Sequence, residues 1–501
     1  MDIAAFARLL AAGWTLIRAD ALLPRELDPA LPPGTRALAG FLRLFAGRAA
    51  RQGRPGERLA RALERLGPVA IKLGQVLSTR ADVFGAAFAD DLSRLKDRLP
   101  PFPDDQARAE IERELGRPVA ELFPIFGGAV AAASLAQAHE AVMADGRRVA
   151  VKVLRPGVER RVADDSRTLL LAARLIEGLV PAARRLEPVA FVATVIRALQ
   201  LELDMRFEAA GAAEMAEVMA RDGYMRAPGV IWDGVAKRVL TLEWVGGAPL
   251  SDPATLELPG LDRQALADNV IRAFLAQALD HGVFHADLHE GNLFVVAPAE
   301  LTAVDFGIVG RLGPRERRYL AEILYGFLTR DYARVAEVHF EAGYVPAHHD
   351  RDAFAQALRA VGEPVFGRAA NQVSMSRLLT QLFEITALFE MRLRPELVLL
   401  QKTMVTVEGV ARRLCPDHDL WAAADPVVRR WIARELSPVA RVRELADEAV
   451  RALRAIARLA EAETAPPVVV EPVAAPGFAW FAAGAAVAGA AFVLAWALSQ
   501  A

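Results

Sequence analysis

Apolar positions in the first hundred residues recur at helical intervals. Leu38, Phe41, Leu42, Leu44 and Phe45 fall close to one helical face, and Arg58 to Leu66 continues the pattern after a break at Arg54-Pro55-Gly56. From Pro68 to Arg80 the spacing predicts another helix, with Pro68 in the first turn, where its missing N–H costs little. Lys72 and Gln75 share a face of that helix. Gly74 in its interior costs about 1 kcal/mol relative to Ala, which points to a close approach there. Met1 to Leu23 is apolar-rich but broken by Asp2, Arg8, Arg18 and Asp20. It reads as an amphipathic helix packed on the protein or on a membrane surface, not as a signal peptide. Residues 99–103 (Leu-Pro-Pro-Phe-Pro) form a rigid linker, and Asp104 and Asp105 are placed to cap a helix running to about Leu115.

The period then changes to that of strands. Phe123 to Phe126 leads into a small-residue loop at Ala131-Ala132-Ala133-Ser134, and two alternating runs follow, separated by a hairpin turn at Asp145-Gly146. From Val158 to about Met219 the pattern is helical. Gly229 to Trp232 and Arg238 to Val245 read as a pair of strands closed by a hinge at Gly246-Gly247. Beyond the hinge, Arg263 to His281 is a helix with Asp262 as its N-cap. Leu293 to Val296 and Leu301 to Val304 are strand-like, and from Asp305-Phe306-Gly307 the chain is helical to about Leu459.

The chain has 501 residues, a net charge of −2 and a single cysteine, Cys415. Near-neutrality gives no argument for nucleic acid, and one cysteine excludes both a disulfide framework and cysteine-built zinc clusters. Composition changes the picture most at the C-terminus. A proline-rich linker (Thr464 to Pro476) leads to Gly477–Leu498, which carries no charged residue, has Trp480 and Trp496 near its ends, and matches the roughly 20 residues that cross a bilayer. A buried Ala-rich helix would have the same composition. Arg441, Arg443, Arg451, Arg454 and Arg458 upstream, with only Ser499-Gln500-Ala501 downstream, place the large domain on the cytoplasmic side. Gly484, Ala485, Ala488 and Gly489 would permit helix pairing and hence a homodimer.

Candidate chemistry centres on His285-Ala286-Asp287-Leu288-His289-Glu290-Gly291-Asn292, followed by Asp305-Phe306-Gly307. Kinase-type phosphoryl transfer uses such a set: one Asp orients the attacking hydroxyl, and an Asn with a second Asp holds the metal ions on the phosphates. Val149-Ala150-Val151-Lys152 has the form of a strand lysine that grips nucleotide phosphates. Such a lysine needs a helix carboxylate, for which Glu202, Asp204 and Glu208 are candidates. At helical spacing Asp204 and Glu208 share a face and Glu202 lies away from it. Alanines stand where kinases use glycines, and their methyl groups restrict the backbone over the phosphates. His281, His285 and His289 recur every four positions and superficially suggest a metal face, but Gly282 and Val283 interrupt the helix.

With these parts in order, the chain resembles the UbiB (ADCK-type) family of atypical, protein-kinase-like proteins. The resemblance rests on Lys72-Leu73-Gly74-Gln75, the Ala131–Ser134 loop, Glu202-Leu203-Asp204, and His285-Ala286-Asp287 through Asn292 to Asp305-Phe306-Gly307. It implies an α+β, bilobal protein-kinase-like fold. The expected parts are an N-terminal helical extension (1–103), an N-lobe with a helical insertion (104–246), a helical C-lobe (247–463), a linker (464–476) and a C-terminal transmembrane helix (477–498).

It also implies residue roles. Lys152 would contact the phosphates of ATP or ADP and pair with Glu208. Asp287 would be the catalytic Asp, and Asn292 and Asp305 would hold Mg²⁺. Ala131, Ala132, Ala133, Ser134, Glu243 and Val245 would line the nucleotide site. Lys72 would meet Glu202 or Asp204 over the region where kinases bind peptides. The implied activity is that of an ATP-dependent atypical kinase or ATPase at the inner (cytoplasmic) membrane, supporting ubiquinone biosynthesis. Its partners would be membrane lipid, polyprenyl quinone precursors and other enzymes of the pathway, with no nucleic acid. A nucleotide-binding pseudokinase scaffold and a quinone-ring hydroxylase are the alternatives. Leu288 and Glu290 depart from the family's commonest form, which has Pro there, and no Ala-Pro-Glu segment follows Asp305.

Overall fold

The computed structural model describes residues 3–22, 24–26, 33–47, 52–78, 86–93, 95, 100–179, 184, 187–366, 385, 388–391 and 395–435. The expected transmembrane helix, its linker and the helical stretch from 436 to about Leu459 lie outside these. Among the described residues no helix is long and apolar enough to cross a membrane.

Among the described residues five helices come first: α1 (Ile3–Arg18), α2 (Pro33–Arg43), α3 (Pro55–Leu66), α4 (Pro68–Ser78) and α5 (Ala86–Ser93). Helix α4 starts at Pro68 as the spacing predicts. A side chain at Gly74 would press on Leu63 and Leu95, which accounts for glycine in that interior. Asp104 and Asp105 do not cap the next helix, α6 (Asp104–Leu115). Pro103 takes the cap position, and the two carboxylates fall in the first turn, where they complement the helix dipole.

After α7 (Val119–Leu122), four antiparallel strands follow in the order β1 (Ile125–Ala132), β2 (Ala136–Val142), β3 (Arg148–Leu154) and β4 (Val239–Glu243). On β3 the two-residue period sends Val149, Val151 and Val153 into a core with Ile111, Val119 and Phe123. The same alternation turns Ala150, Lys152 and Leu154 to the opposite face. Between β3 and β4 come α8 (Val158–Leu179), α9 (Pro188–Glu202) and α10 (Met205–Asp222), and Met205, Ala209, Ala212 and Met215 of α10 join the main core.

Further details differ from the sequence expectation, among them a strand at Val309–Arg311, paired with Val283–His285, where the pattern after Asp305-Phe306-Gly307 predicts helix. Gly229–Trp232 is not a strand: Val230 makes one isolated bridge to Leu242, and the chain then turns into a 3-10 segment at Trp232–Gly234. Gly234 sits directly against the Thr241 side chain, whose hydroxyl donates to the Gly234 carbonyl at 2.9 Å. The helical insertion is also broken at Leu203–Asp204, where Asp204 adopts extended backbone and its carboxylate accepts from the Arg206 N–H at 3.2 Å.

Past Gly247 (φ +85°), short strands β5 (Ala248–Pro249), β6 (Val283–His285), β7 (Leu293–Val296), β8 (Glu300–Ala303) and β9 (Val309–Arg311) pair as β5-β7-β8 and β6-β9. They lie against α11 (Arg263–Ala276), which Asp262 caps by accepting from the Ala265 N–H at 2.9 Å. Helices α12 (Pro314–Thr329), α13 (Tyr332–Glu341), α14 (Arg351–Phe366), α15 (Pro395–Leu414) and α16 (Leu420–Glu435) complete the described chain.

Candidate active site

Lys152 comes from the centre of β3, opposite the valine core, and meets α10. Its Nζ donates to both carboxylate oxygens of Glu208 at 2.8 and 2.9 Å, and lies 3.7 Å from Oδ1 of Asp305. Burial alone would lower the Lys152 pKa, but the charges of Asp305 and Glu208 outweigh it and hold the ammonium well above its ordinary value. The same lysine pulls the Asp305 carboxyl below the usual carboxylate range against the opposing effect of burial. Burial pushes the Glu208 carboxyl up, and Lys152 offsets part of that.

The loops that carry Asp287, Asn292 and Asp305 are tied together through His285, which is fully buried at the end of β6. Its Nδ1 accepts from the Asp287 N–H at 3.1 Å, so the proton sits on Nε2, which donates to the Val304 carbonyl at 3.1 Å. One imidazole thus holds the residue before Asp305 and the backbone of Asp287. Burial pushes its pKa down and keeps the ring neutral, the form these two bonds require. Asn292 Nδ2 donates to the Asp287 carbonyl at 3.0 Å, and the Val304 N–H donates to the Asn292 carbonyl at 2.9 Å. Asp305 itself stands at φ +64°, in the left-handed region that costs a non-glycine residue about 1–2 kcal/mol.

Several supports for this loop were not legible as site residues in the sequence. Gln277 lies in a π-helical turn (Gln277–His281) after α11 and accepts from the His285 N–H at 3.1 Å. The Thr403 hydroxyl of α15 lies 3.1 Å from the Ala286 carbonyl and 2.8 Å from the Leu399 carbonyl of its own helix, so its one proton is shared between them, and Arg413 of the same helix forms an ion pair with Glu290. Gly211 of α10 lets the Asp305-Phe306-Gly307 turn approach: a Cβ there would stand 3.2 Å from the Phe306 carbonyl oxygen and 3.3 Å from Val309. The signal for Gly211 is local, a glycine inside a helical pattern, which marks a close approach. The long-range contacts of Thr403 and Arg413 leave no local pattern.

The remaining expected residues are placed as follows. Lys72 pairs with Glu202, the last residue of α9. The alternative partner, Asp204, is corrected: it caps α10 and pairs with Arg206 at 2.6 Å. Asp204 and Glu208 do not share a face of one continuous helix, because the chain breaks at Leu203–Asp204 and Asp204 becomes the N-cap of α10.

The alanine loop is shorter than the motif. Ala131 and Ala132 still pair with Ala138 and Gln137, so Ala133, Ser134 and Leu135 make the turn. Ser134 is buried, and the Ala133 carbonyl accepts from Arg155 Nε at 2.9 Å. Gln137 receives the Phe102 N–H at 2.8 Å and donates to its carbonyl at 3.1 Å, clipping the 100–103 linker to β2. Glu243 is exposed and its side chain accepts from the Gly229 N–H at 2.9 Å, while Val245 is half-buried beyond it. The three histidines do not converge: His281 bonds Asp222 at 3.1 Å, both ring nitrogens of His285 are used as above, and His289 Nδ1 accepts from the Gly291 N–H at 3.0 Å.

The donor set suits a hard divalent ion. Asp305 is half-exposed, its one hydrogen bond among the described residues being a weak 3.4 Å contact from the Gly307 N–H. The Asn292 donation to Asp287 leaves its amide oxygen as a free acceptor among the described residues. Oxygen ligands of this kind fit Mg²⁺.

The profile of the ABC1 atypical kinase-like domain matches residues 94–339, and that of the UbiB helical domain matches residues 358–419. Three bacterial proteins named "Probable protein kinase UbiB" are similar over most of the chain. The one from Marinobacter nauticus is 41% identical over 395 residues (78% of this chain and 72% of that one). That of Pseudomonas putida is 42% identical over 390 residues (77% and 72%), and that of Cellvibrio japonicus 39% over 433 (85% and 77%). A solved structure of a Mycobacterium tuberculosis protein, Rv3197 in complex with erythromycin, shares the fold at 20% identity and a TM-score of 0.51, covering 79% of this chain and 98% of that one. The chain belongs to the UbiB family of ABC1-type atypical kinases.

Proposed function

We propose that the chain is an ATP-dependent atypical kinase or ATPase, anchored to the inner membrane by its C-terminal apolar segment and supporting ubiquinone biosynthesis by handling lipophilic polyprenyl precursors. The observation that carries the reading is the Lys152–Glu208 ion pair with Asp305 at 3.7 Å. A desolvated ammonium held charged between two carboxylates is placed to receive phosphate oxygens.

In this reading Lys152 binds the α/β-phosphates while Glu208 holds its ammonium in place. Asp287 orients the hydroxyl or water that attacks, and His285 keeps the Asp287 backbone in register with Asp305. Asn292 and Asp305 would hold Mg²⁺, which when bound neutralises charge on the phosphate oxygens. The Lys72–Glu202 pair acts electrostatically on the same centre: Lys72 stabilises the Asp305 carboxylate, and Glu202 favours the charged form of Lys152.

The test is ATP turnover by the full-length protein, with and without vesicles and a polyprenylphenol-like compound, beside an Asp305→Asn variant. The expected result is Mg-dependent turnover, raised by vesicles and lipid and abolished together with Mg-nucleotide binding in the variant. Unchanged Mg-nucleotide binding in Asp305→Asn would overturn the metal assignment. Full support of quinone synthesis by Asp287→Asn in cells would replace catalysis with a scaffold role.

A further inference from the structure

Outside the site above, the described residues contain one other group of converging ligand atoms. His348 and His349, in the turn between α13 and α14, and Glu390 have ligating atoms within 4.8 Å of one another. The elements beneath them are well anchored. Asp350 caps the start of α14, accepting from the Ala353 N–H at 2.7 Å. Phe389, adjacent to Glu390, is buried in a cluster with Tyr332, Val335, Phe354, Leu358 and Ile385. The His349 ring stands 5.4 Å from the Phe389 ring, and the His348 ring 4.1 Å from that of His349. Nε2 of His348 lies 4.0 Å from Oε2 of Glu390.

A second observation points to a ligand. Nε2 of His349 is buried with no hydrogen-bond partner among the described residues. A buried imidazole nitrogen left unsatisfied costs about 1–3 kcal/mol, so such groups are normally paired or bound. Its ring belongs to the group in which one imidazole, His348, and one carboxylate, Glu390, converge on His349. Glu390 is also held at φ +48°, in the left-handed region.

We propose that His348, His349 and Glu390 bind one divalent ion of the Zn²⁺ type, clipping residues 388–391 to the turn between α13 and α14. Two nitrogens and one carboxylate oxygen suit a borderline transition metal, whereas Mg²⁺ prefers a full set of oxygens. Bonds of about 2.0–2.2 Å would bring the ligands closer together than they stand now. Rotation of the exposed His348 and Glu390 side chains supplies that closure, and their exposure leaves a fourth position for water. Residues 388–391 precede in sequence α15, the helix whose Thr403 and Arg413 hold the Ala286–Glu290 loop.

The test uses untagged, metal-stripped, full-length protein carrying Asp305→Asn, so that the nucleotide-metal site does not contribute. Co²⁺ is titrated by its visible absorption and displaced with Zn²⁺. One equivalent should bind, with His348→Ala and Glu390→Gln each weakening it at least tenfold. Zn²⁺ should raise the unfolding temperature of the parent and not of the variants. Both substituted side chains are largely exposed, at 62% and 68%, so loss of folding does not confuse the result. Absence of a bound equivalent in the parent, or undiminished binding in both variants, would overturn the proposal.

Discussion

The ammonium of Lys152 bridges both oxygens of Glu208, at 2.8 and 2.9 Å, across 56 residues of chain. The strand period turns Lys152 away from the valine core, and the helix restart at Met205 turns Glu208 toward it. Glu208→Gln keeps the shape of the partner but removes its charge, leaving Lys152 to collapse onto Asp305. The expected outcome is a fall in kcat of about 10- to 100-fold with nucleotide still bound, since a misplaced catalytic group commonly has that effect. Steady-state ATP kinetics against a Mant-nucleotide binding curve check it.

Glu202 and Asp204 sit two residues apart and should behave differently. Lys72→Ala and Glu202→Gln remove the two halves of one ion pair and are expected to shift nucleotide affinity or turnover alike. Asp204→Ala removes an N-cap and should lower stability by about 0.5–2 kcal/mol while sparing nucleotide affinity. Denaturant melts read beside nucleotide titrations separate the two; equal effects on affinity from all three would contradict the assignment.

Gly211 offers a test of packing between α10 and the Asp305-Phe306-Gly307 turn. A methyl group at that position would meet the Phe306 carbonyl at 3.2 Å, and backbone cannot swing aside as a side chain can. Gly211→Val should cost about 1–3 kcal/mol and depress turnover by displacing Asp305. Gly211→Ala should show a smaller loss of the same kind. Activity at wild-type level in the valine variant would mean that the turn does not need this approach.

Thr403 sits outside the motifs yet caps the Ala286 carbonyl next to Asp287. Thr403→Val keeps the volume and deletes the hydroxyl, leaving a buried carbonyl with one bond fewer. A loss of about 1 kcal/mol or more in stability is expected, with kcat reduced more than nucleotide affinity. Thr403→Ser should restore both, which a purely apolar packing role would not predict.

Acid sensitivity follows from two buried imidazoles, His139 and His285, and a half-buried one, His339. Burial lowers the pKa of His139, His285 and His339 below the ordinary value of 6.5. The unfolded chain therefore binds protons before the folded one does. Stability is fully present above pH 6.5 and falls as pH drops from there through the depressed folded values. Thermal midpoints at pH 7.5 and 5.5 should differ in that sense. Loss of turnover should parallel it, because protonated His285 has no acceptor for the Asp287 N–H.

Much of the site could be read from the chain because the chemistry is carried by local words. The Asp287-to-Asn292 spacing is set by one turn, Lys152 by the register of a strand after an Asp-Gly hairpin, and Asp262 by the cap of its helix. A local pattern misleads where it is carried past an element's end. Ala131 and Ala132 read as loop because they stand where kinases have a Gly-rich turn, yet ladder pairing with Ala138 and Gln137 keeps them in β1. Gly229–Trp232 looked like a strand, but Gly234 and Thr241 pull it into a turn.

By itself the sequence determined which groups could do chemistry: a lysine in a strand and an Asp–Asn–Asp set. These follow from bonds between near neighbours, which period and spacing record. Only the tertiary structure decided which acid serves which base. Lys152 took Glu208, Lys72 took Glu202 and Asp204 took its own helix, because a break of two residues rotates the following helix and redirects every side chain on it. The same holds for Thr403 and Arg413. Their partners lie far along the chain, and contacts of that kind exist only once the core has brought distant segments together.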